Sequence, residues 1–119
     1  MKVYLSGPMS GKPKYNKDAF DAAESHWVDR GHEVFNPSSQ GYDAPPSEHY
    51  KTYLPQDIRD VLDCDAVVVL PGWYRSRGAM LEVIIAKLLD KAILNEEDGS
   101  PVYDFAVEAS PFTLTIIPT

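Results

Sequence analysis

The sequence predicts an α/β fold in which a mostly parallel sheet is doubly wound, with helices on both faces. Three observations carry this. Short apolar runs ending in turn residues alternate with stretches of helical periodicity. The run Ala66-Val67-Val68-Val69-Leu70 is continuous and β-branched, as expected of a central strand covered on both sides. The connections are mostly short, and alternating strand and helix with short links leaves few solutions other than parallel crossovers.

Val3 to Ser6 is expected to be a first buried strand, stopped by Gly7-Pro8. Asn16 is placed to cap a helix in which Phe20, Ala23 and Trp27 recur at helical spacing, and Gly31 stands where a left-handed C-terminal cap belongs. A second strand, Glu33 to Asn36, stops at Pro37. Ser38 to Tyr50, rich in Ser, Gly, Pro and Asp, is expected to be a loop across the top of the domain. Pro55 is expected in the first turn of the next helix, where its missing N–H costs nothing, with Ile58, Val61 and Leu62 as the apolar face. Pro71-Gly72 ends the central strand, a helix follows from Gly78 to Asp90, and Ala92 to Leu94 is a fourth strand. Beyond an acidic turn at Asn95–Ser100, Val102 to Ala109 is expected to be a short helix and Phe112 to Ile117 a last strand. The pattern is Rossmann- or flavodoxin-like, and ligands of such sheets sit at the carboxyl ends of the strands, where strand order reverses. Ser6–Lys14, Asn36–Tyr50 and Pro71–Gly78 are thereby expected to meet at one site.

Composition narrows the function. The 119 residues, 44% hydrophobic and 24% charged, suit one domain spanning 1–119 with a single core. No apolar run approaches the ~20 residues of a membrane span and no signal segment is evident, so a cytoplasmic location without a membrane partner is expected. One cysteine, Cys64, excludes an internal disulfide framework, and with His26, His32 and His49 it gives no zinc-ligand spacing. No metal is expected. Eighteen acids against eleven bases give a net charge of -7, which disfavours a nucleic-acid polymer as partner. Yet the first seventeen residues hold Lys2, Lys12, Lys14 and Lys17 and no acid, so this segment either holds an anion or is simply solvated by its lysines.

Glu82 is the only ionisable residue between Arg77 and Lys87, in a helix apolar on nearly every side. A carboxylate there loses water and needs a partner, which marks it as a functional candidate; the alternative is a glutamate filling a gap in helix packing. Arg75-Ser76-Arg77-Gly78 offers two charges, a hydroxyl and a helix start, a combination that suits a phosphate or carboxylate and equally an ordinary cap. Asp57 fits the first turn of its helix as a dipole partner, but that helix leads to the strand ending beside Glu82. Two carboxyl groups converging on one site are what glycosidic-bond chemistry uses. Gly7 to Lys12 is not a nucleotide P-loop, since it has three residues between its glycines and Pro13 after the lysine.

Taken together, Tyr4-Leu5-Ser6-Gly7-Pro8-Met9-Ser10-Gly11, the Asp57 segment, the strand Asp65–Leu70 and Ser76-x-Gly78-x-x-x-Glu82 resemble nucleoside 2-deoxyribosyltransferases and the related 2'-deoxynucleoside 5'-monophosphate N-glycosidases. The resemblance covers about Lys2 to Leu94. It implies Glu82 as the nucleophile, Asp57 assisting the leaving base and Tyr4 orienting the glutamate. It also implies a substrate site of Ser6, Gly7, Met9, Ser10, Lys12, Gly72, Ser76 and Gly78, with hydroxyls and basic groups around a 5'-phosphate. Pro71-Gly72-Trp73-Tyr74-Arg75 departs from the usual connection and is similar to short phage and bacterial proteins of the same superfamily. Pro71-Gly72 with Gly78-Ala79-x-x-Glu82 is also similar to the glycine-rich motif of cytokinin-activating phosphoribohydrolases. Asn95–Thr119 matches none of the family's C-terminal residues.

The expectation is an enzyme that hydrolyses or exchanges the N-glycosidic bond of a 2'-deoxynucleotide or deoxynucleoside without a cofactor. The alternative is a catalytically silent nucleotide-binding module of the same fold. The apolar helix Ala79–Leu89 in so small a chain further predicts a homo-oligomer, a dimer or higher, unless Val102–Ile117 folds back to cover it.

Overall fold

A computed structural model describes residues 1–40 and 48–102, together with the backbone of strands 105–109 and 114–118. In chain order the elements are β1 (Lys2–Ser6), α1 (Lys17–Asp29), β2 (Glu33–Phe35), α2 (His49–Asp63), β3 (Ala66–Val69), α3 (Arg77–Leu88), β4 (Ala92–Asn95), β5 (Phe105–Ala109) and β6 (Leu114–Pro118). Strands β2-β1-β3-β4 form one all-parallel sheet in that order, and β5 pairs antiparallel with β6 in a separate two-stranded sheet. The predicted α/β class is the observed one.

The core lies on both sides of the parallel sheet. Val3 and Leu5 of β1 and Ala66 and Val68 of β3 pack on Phe20, Ala23 and Trp27 of α1. Tyr4, Val67, Val69 and Ile93 point the other way, onto Val61 of α2 and Ala79, Met80, Val83 and Ala86 of α3. Every residue of β3 is buried, the physical reason its sequence is continuous rather than alternating. From β1 the chain crosses by α1 to β2 on one side, then returns by α2 to β3 on the other. Strand order therefore reverses between β1 and β3, whose ends meet in the register Ser6↔Val69.

Several expectations need correction. Asn16 precedes α1 but does not cap it. Its φ is 64°, it makes no cap hydrogen bond, and its Nδ2 donates instead to the Pro8 carbonyl at 2.9 Å. Lys14, Tyr15 and Asn16 are consecutive left-handed residues, at about 1–2 kcal/mol of strain each. Gly31 is left-handed at the end of α1, with its N–H on the Val28 carbonyl, as the cap reading requires. Pro55 lies inside α2, which starts at His49, and not in its first turn. The buried stripe of α2 is His49, Tyr53, Asp57 and Val61, one residue every four, while Leu62 is exposed. The helix expected over Val102–Ala109 is replaced by strand β5 at Phe105–Ala109, stabilised by antiparallel pairing with β6. Residues 41–47 of the expected loop lie outside the described residues, and Pro37–Gln40 before them form a 3-10 turn. Among the described residues no helix is long and apolar enough to cross a membrane.

Candidate active site

The reversal of strand order opens a cleft at the carboxyl ends of β1 and β3, lined by residues that include Tyr4, Gly7, Met9, Ser10, His49, Tyr50, Asp57, Ser76, Gly78 and Glu82. Gly7 is needed for the chain to leave β1 across the end of β3, because a Cβ there would lie 2.8 Å from Leu70 Cβ.

Glu82 stands on the inner face of α3 and is 5% exposed. Both of its oxygens are held from β1: Tyr4 Oη donates to Oε2 at 2.6 Å and Ser6 Oγ donates to Oε1 at 2.7 Å. The pleat of β1 explains this, since residues two apart share a face. Burial pushes the Glu82 carboxyl up to about 8, against the two donors, which favour the ionised form; the charge of Asp57 raises it further. Asp57, in the buried stripe of α2, accepts from Gln40 Nε2. Its carboxyl is raised to about 7, chiefly by burial and slightly by Asp60, with the Gln40 bond acting in the opposite direction. The cleft thus holds two coupled carboxyl groups, one on each of two adjacent helices, that retain protons near neutrality.

His49 and Tyr50 line the same cleft, within a cluster of aromatic rings. His49 stacks on Tyr15 at a centroid distance of 5.4 Å and an interplanar angle of 10°, and meets the edges of Tyr50 and Tyr53. Burial lowers the His49 imidazole, which keeps it neutral at pH 7. The left-handed turn at Lys14–Asn16 is what brings Tyr15 to this stack. At the start of α3, Ser76 Oγ caps the helix by accepting from Ala79 N at 3.3 Å, and the Arg77 guanidinium lies 6.0 Å from the centre of the Tyr50 ring.

Of the residues singled out from sequence, Tyr4, Gly7, Met9, Ser10, Asp57, Ser76, Gly78 and Glu82 line the cleft, and Ser6 reaches it through Glu82. Lys12 and Gly72 do not. Lys12 is exposed on the first loop, and Gly72 lines a separate groove with Tyr74, Asn95, Glu96 and Glu97. Sequence reasoning brought the Asn36–Tyr50 segment to the site but singled out none of Gln40, His49 and Tyr50 within it. For His49 a signal existed, the spacing of four that joins His49 and Tyr53 to Asp57; for Tyr50, and for Gln40, a polar residue in a turn, none did.

The fold of this chain matches several solved structures. The chain is similar to a 2-deoxyribosyltransferase of Bacillus psychrosaccharolyticus, with 22% identity, a TM-score of 0.64, and 80% of this chain and 71% of that one covered. It is similar to the CMP N-glycosidase BcmB of Clostridium botulinum at 21% identity and a TM-score of 0.52, covering 80% and 67%. The solution structure of BlsM matches at 25% identity and a TM-score of 0.57, covering 79% of this chain and 63% of BlsM. At such identities the likeness is one of fold. Residues 1–95 match the family model described as "Domain of unknown function (DUF4406)", and the chain belongs to that family. No curated protein matches it.

Proposed function

We propose that this chain cleaves the N-glycosidic bond of a 2'-deoxynucleotide or deoxynucleoside, as a branch of the deoxyribosyltransferase and N-glycosidase group whose fold it shares. The observation that carries the reading is Glu82: a buried carboxyl group, oriented by hydrogen bonds to both oxygens, in a cleft shared with a second carboxyl group that retains a proton near neutrality. In this reading a Glu82 oxygen attacks C1' on the face opposite the base. The C1'–O bond forms as the C1'–N bond breaks, the electron pair passes to the base nitrogen, and Asp57 gives that nitrogen its proton. Water, or the nitrogen of a second base, then attacks C1', returns a proton to Asp57 and frees Glu82. The reactive arrangement, Glu82 ionised and Asp57 protonated, differs from its reverse only by one proton moved within the pair. Burial raises both groups into the same range, so the cost of that transfer is small beside a chemical barrier.

His49 and Tyr50 in the cleft wall suit a flat base, and Ser10, Ser76 and the start of α3 suit a 5'-phosphate. Self-association is part of the proposal: Leu88 and Leu89 at the end of α3 are 78% and 52% exposed and Leu62 of α2 is 51% exposed, apolar surface that a second copy would cover. Light scattering is expected to give a mass of two chains or more. The decisive experiment incubates the protein with deoxynucleosides and their 5'-monophosphates, with and without a second base, and follows free base by chromatography. Release of base by the wild type and not by Glu82→Gln supports the reading. Binding without release from any substrate leaves a silent nucleotide-binding module.

A further inference from the structure

Asp57 is held by a side chain that is itself anchored from the opposite side of the molecule. Asn36, at the end of β2, is buried; its Nδ2 donates to Asp21 Oδ1 of α1 at 3.0 Å, and its Oδ1 accepts from Ser38 N at 2.9 Å. Ser38 Oγ lies 2.6 Å from Asn36 Oδ1 and 3.3 Å from Asp21 Oδ1, so its single proton closes the bracket on one or the other. Ser39 Oγ donates back to the Asn36 carbonyl at 2.7 Å, and Lys17 Nζ pairs with Asp21 Oδ2 at 2.9 Å. The Lys17 charge beside it keeps Asp21 an ionised acceptor, below the ordinary carboxylate range. Asn36 and Ser38 are thereby tied to α1 and Ser39 to Asn36, and Gln40, next in the chain, hands its amide to Asp57 on α2.

We propose that Gln40 is a positioning residue for Asp57, held from α1 by the Asp21–Asn36–Ser38 bracket, and that it confines the proton carried by Asp57 to Oδ2. The reason is chemical. Oδ1 accepts the Gln40 N–H, and an oxygen occupied as an acceptor along that direction is the poorer place for a proton, so the acid form of Asp57 presents Oδ2. Asp60 on its own helix raises the Asp57 carboxyl, Asp57 in turn raises Glu82 on α3, and His49 and Tyr4 line the same cleft. The role as proton donor rests on the function proposed above; the positioning does not.

The test therefore reads Asp57 directly as well as activity. In protein carrying 13C-labelled aspartate, the Asp57 carboxyl is titrated by NMR without substrate. Gln40→Leu removes a donor that favours the ionised form, so the Asp57 midpoint is expected to rise by about one unit. Gln40→Asn, too short to reach, should move it the same way, and Asp21→Ala, which cuts the bracket and touches nothing in the cleft, should move it by a smaller amount. In turnover, Gln40→Leu is expected to lower kcat about tenfold with little change in KM, and to have no further effect in the Asp57→Asn background. An unmoved Asp57 midpoint in both Gln40 variants overturns the proposal, as does an undiminished effect of Gln40→Leu on kcat when Asp57 is already Asn. A shifted midpoint in a protein that releases no base supports the positioning and counts against the glycosidic reading alone.

Discussion

Strand β1 sends Val3 and Leu5 towards α1 and Tyr4 and Ser6 towards α2 and α3, and all four side chains are at most 1% exposed. On the α1 side the partners are Phe20, Ala23 and Trp27, so that face is filled by apolar contact alone. On the other side the two hydroxyls end on a carboxyl group. Alternation of apolar and polar residues ordinarily marks a strand with one wet face. Here both faces are dry, and the polar one is polar because a buried acid must be satisfied. The comparison separates residues that hold the sheet together from residues that hold a reactive group, within one five-residue strand.

The sharpest way to break it is to change each face in turn. Glu82→Gln is expected to lower turnover by at least about a thousandfold, since an amide cannot serve as the nucleophile, while circular dichroism shows the fold intact. Val3→Ala on the opposite face should cost about 2 kcal/mol of stability by denaturant titration, with the specific activity of the folded protein unchanged. Comparable losses of activity in both variants would dissolve the distinction.

The same glutamate should also be a stability cost that varies with pH. Its carboxyl is raised in the fold, to about 8 from an ordinary 4.5, so between those values the folded protein binds more protons than the unfolded chain. Stability then falls as pH rises through the window, and it is fully present only below it. Glu82→Gln escapes this dependence. It is expected to melt at or near the wild-type temperature at pH 5 and about 5 °C higher at pH 9, a crossing that scanning calorimetry resolves.

With two carboxyl groups raised to about 7 and about 8, kcat/KM should trace a bell whose limbs belong to the pair. Below the lower limb both are protonated and no nucleophile exists; above the upper limb both are ionised and the leaving base finds no proton. Asp57→Asn should remove the dependence on a protonated acid, and its loss should be about a hundredfold on natural substrates but far smaller on a nucleoside whose base is already a good leaving group. Equal losses on both substrates would assign Asp57 a structural role.

How much of this was legible in the sequence follows the same division. The apolar pattern of β1, β3 and α1 and the isolation of Glu82 in α3 were readable because burial and period 3.6 or 2 act locally. The start of α2 was hidden by Pro55, which suits a first helical turn so well that His49 and Tyr50 read as the end of a loop, although the helix accommodates Pro55 in its interior. Strand β5 was hidden because its structure comes from cross-strand pairing with β6 rather than from the preference of its own five residues. Gln40 was hidden for a third reason: its significance lies in a bond to Asp57, seventeen residues away, made by a side chain that on its own is an ordinary polar turn residue.

The smallest effect expected is at Ser76, and it tests whether the cleft extends to a phosphate. Ser76 has two duties. Its Oγ caps α3, and at 3.3 Å from Ala79 N that cap is a long one, so Ser76→Ala should cost only about 0.5–1 kcal/mol of stability. It also lines the cleft at a helix start whose first residue, Arg77, carries a guanidinium over the Tyr50 ring. If a 5'-phosphate sits there, Ser76→Ala should raise KM for monophosphates about five- to tenfold and leave nucleosides within about twofold. Lys12 supplies the control, because it carries charge on the same side of the chain but stands exposed on the first loop, off the cleft. Lys12→Ala should shift neither KM by more than about twofold at physiological salt, where exposed charges are screened. Equal sensitivity of nucleosides and monophosphates to Ser76→Ala would place the sugar, rather than a phosphate, against the start of α3.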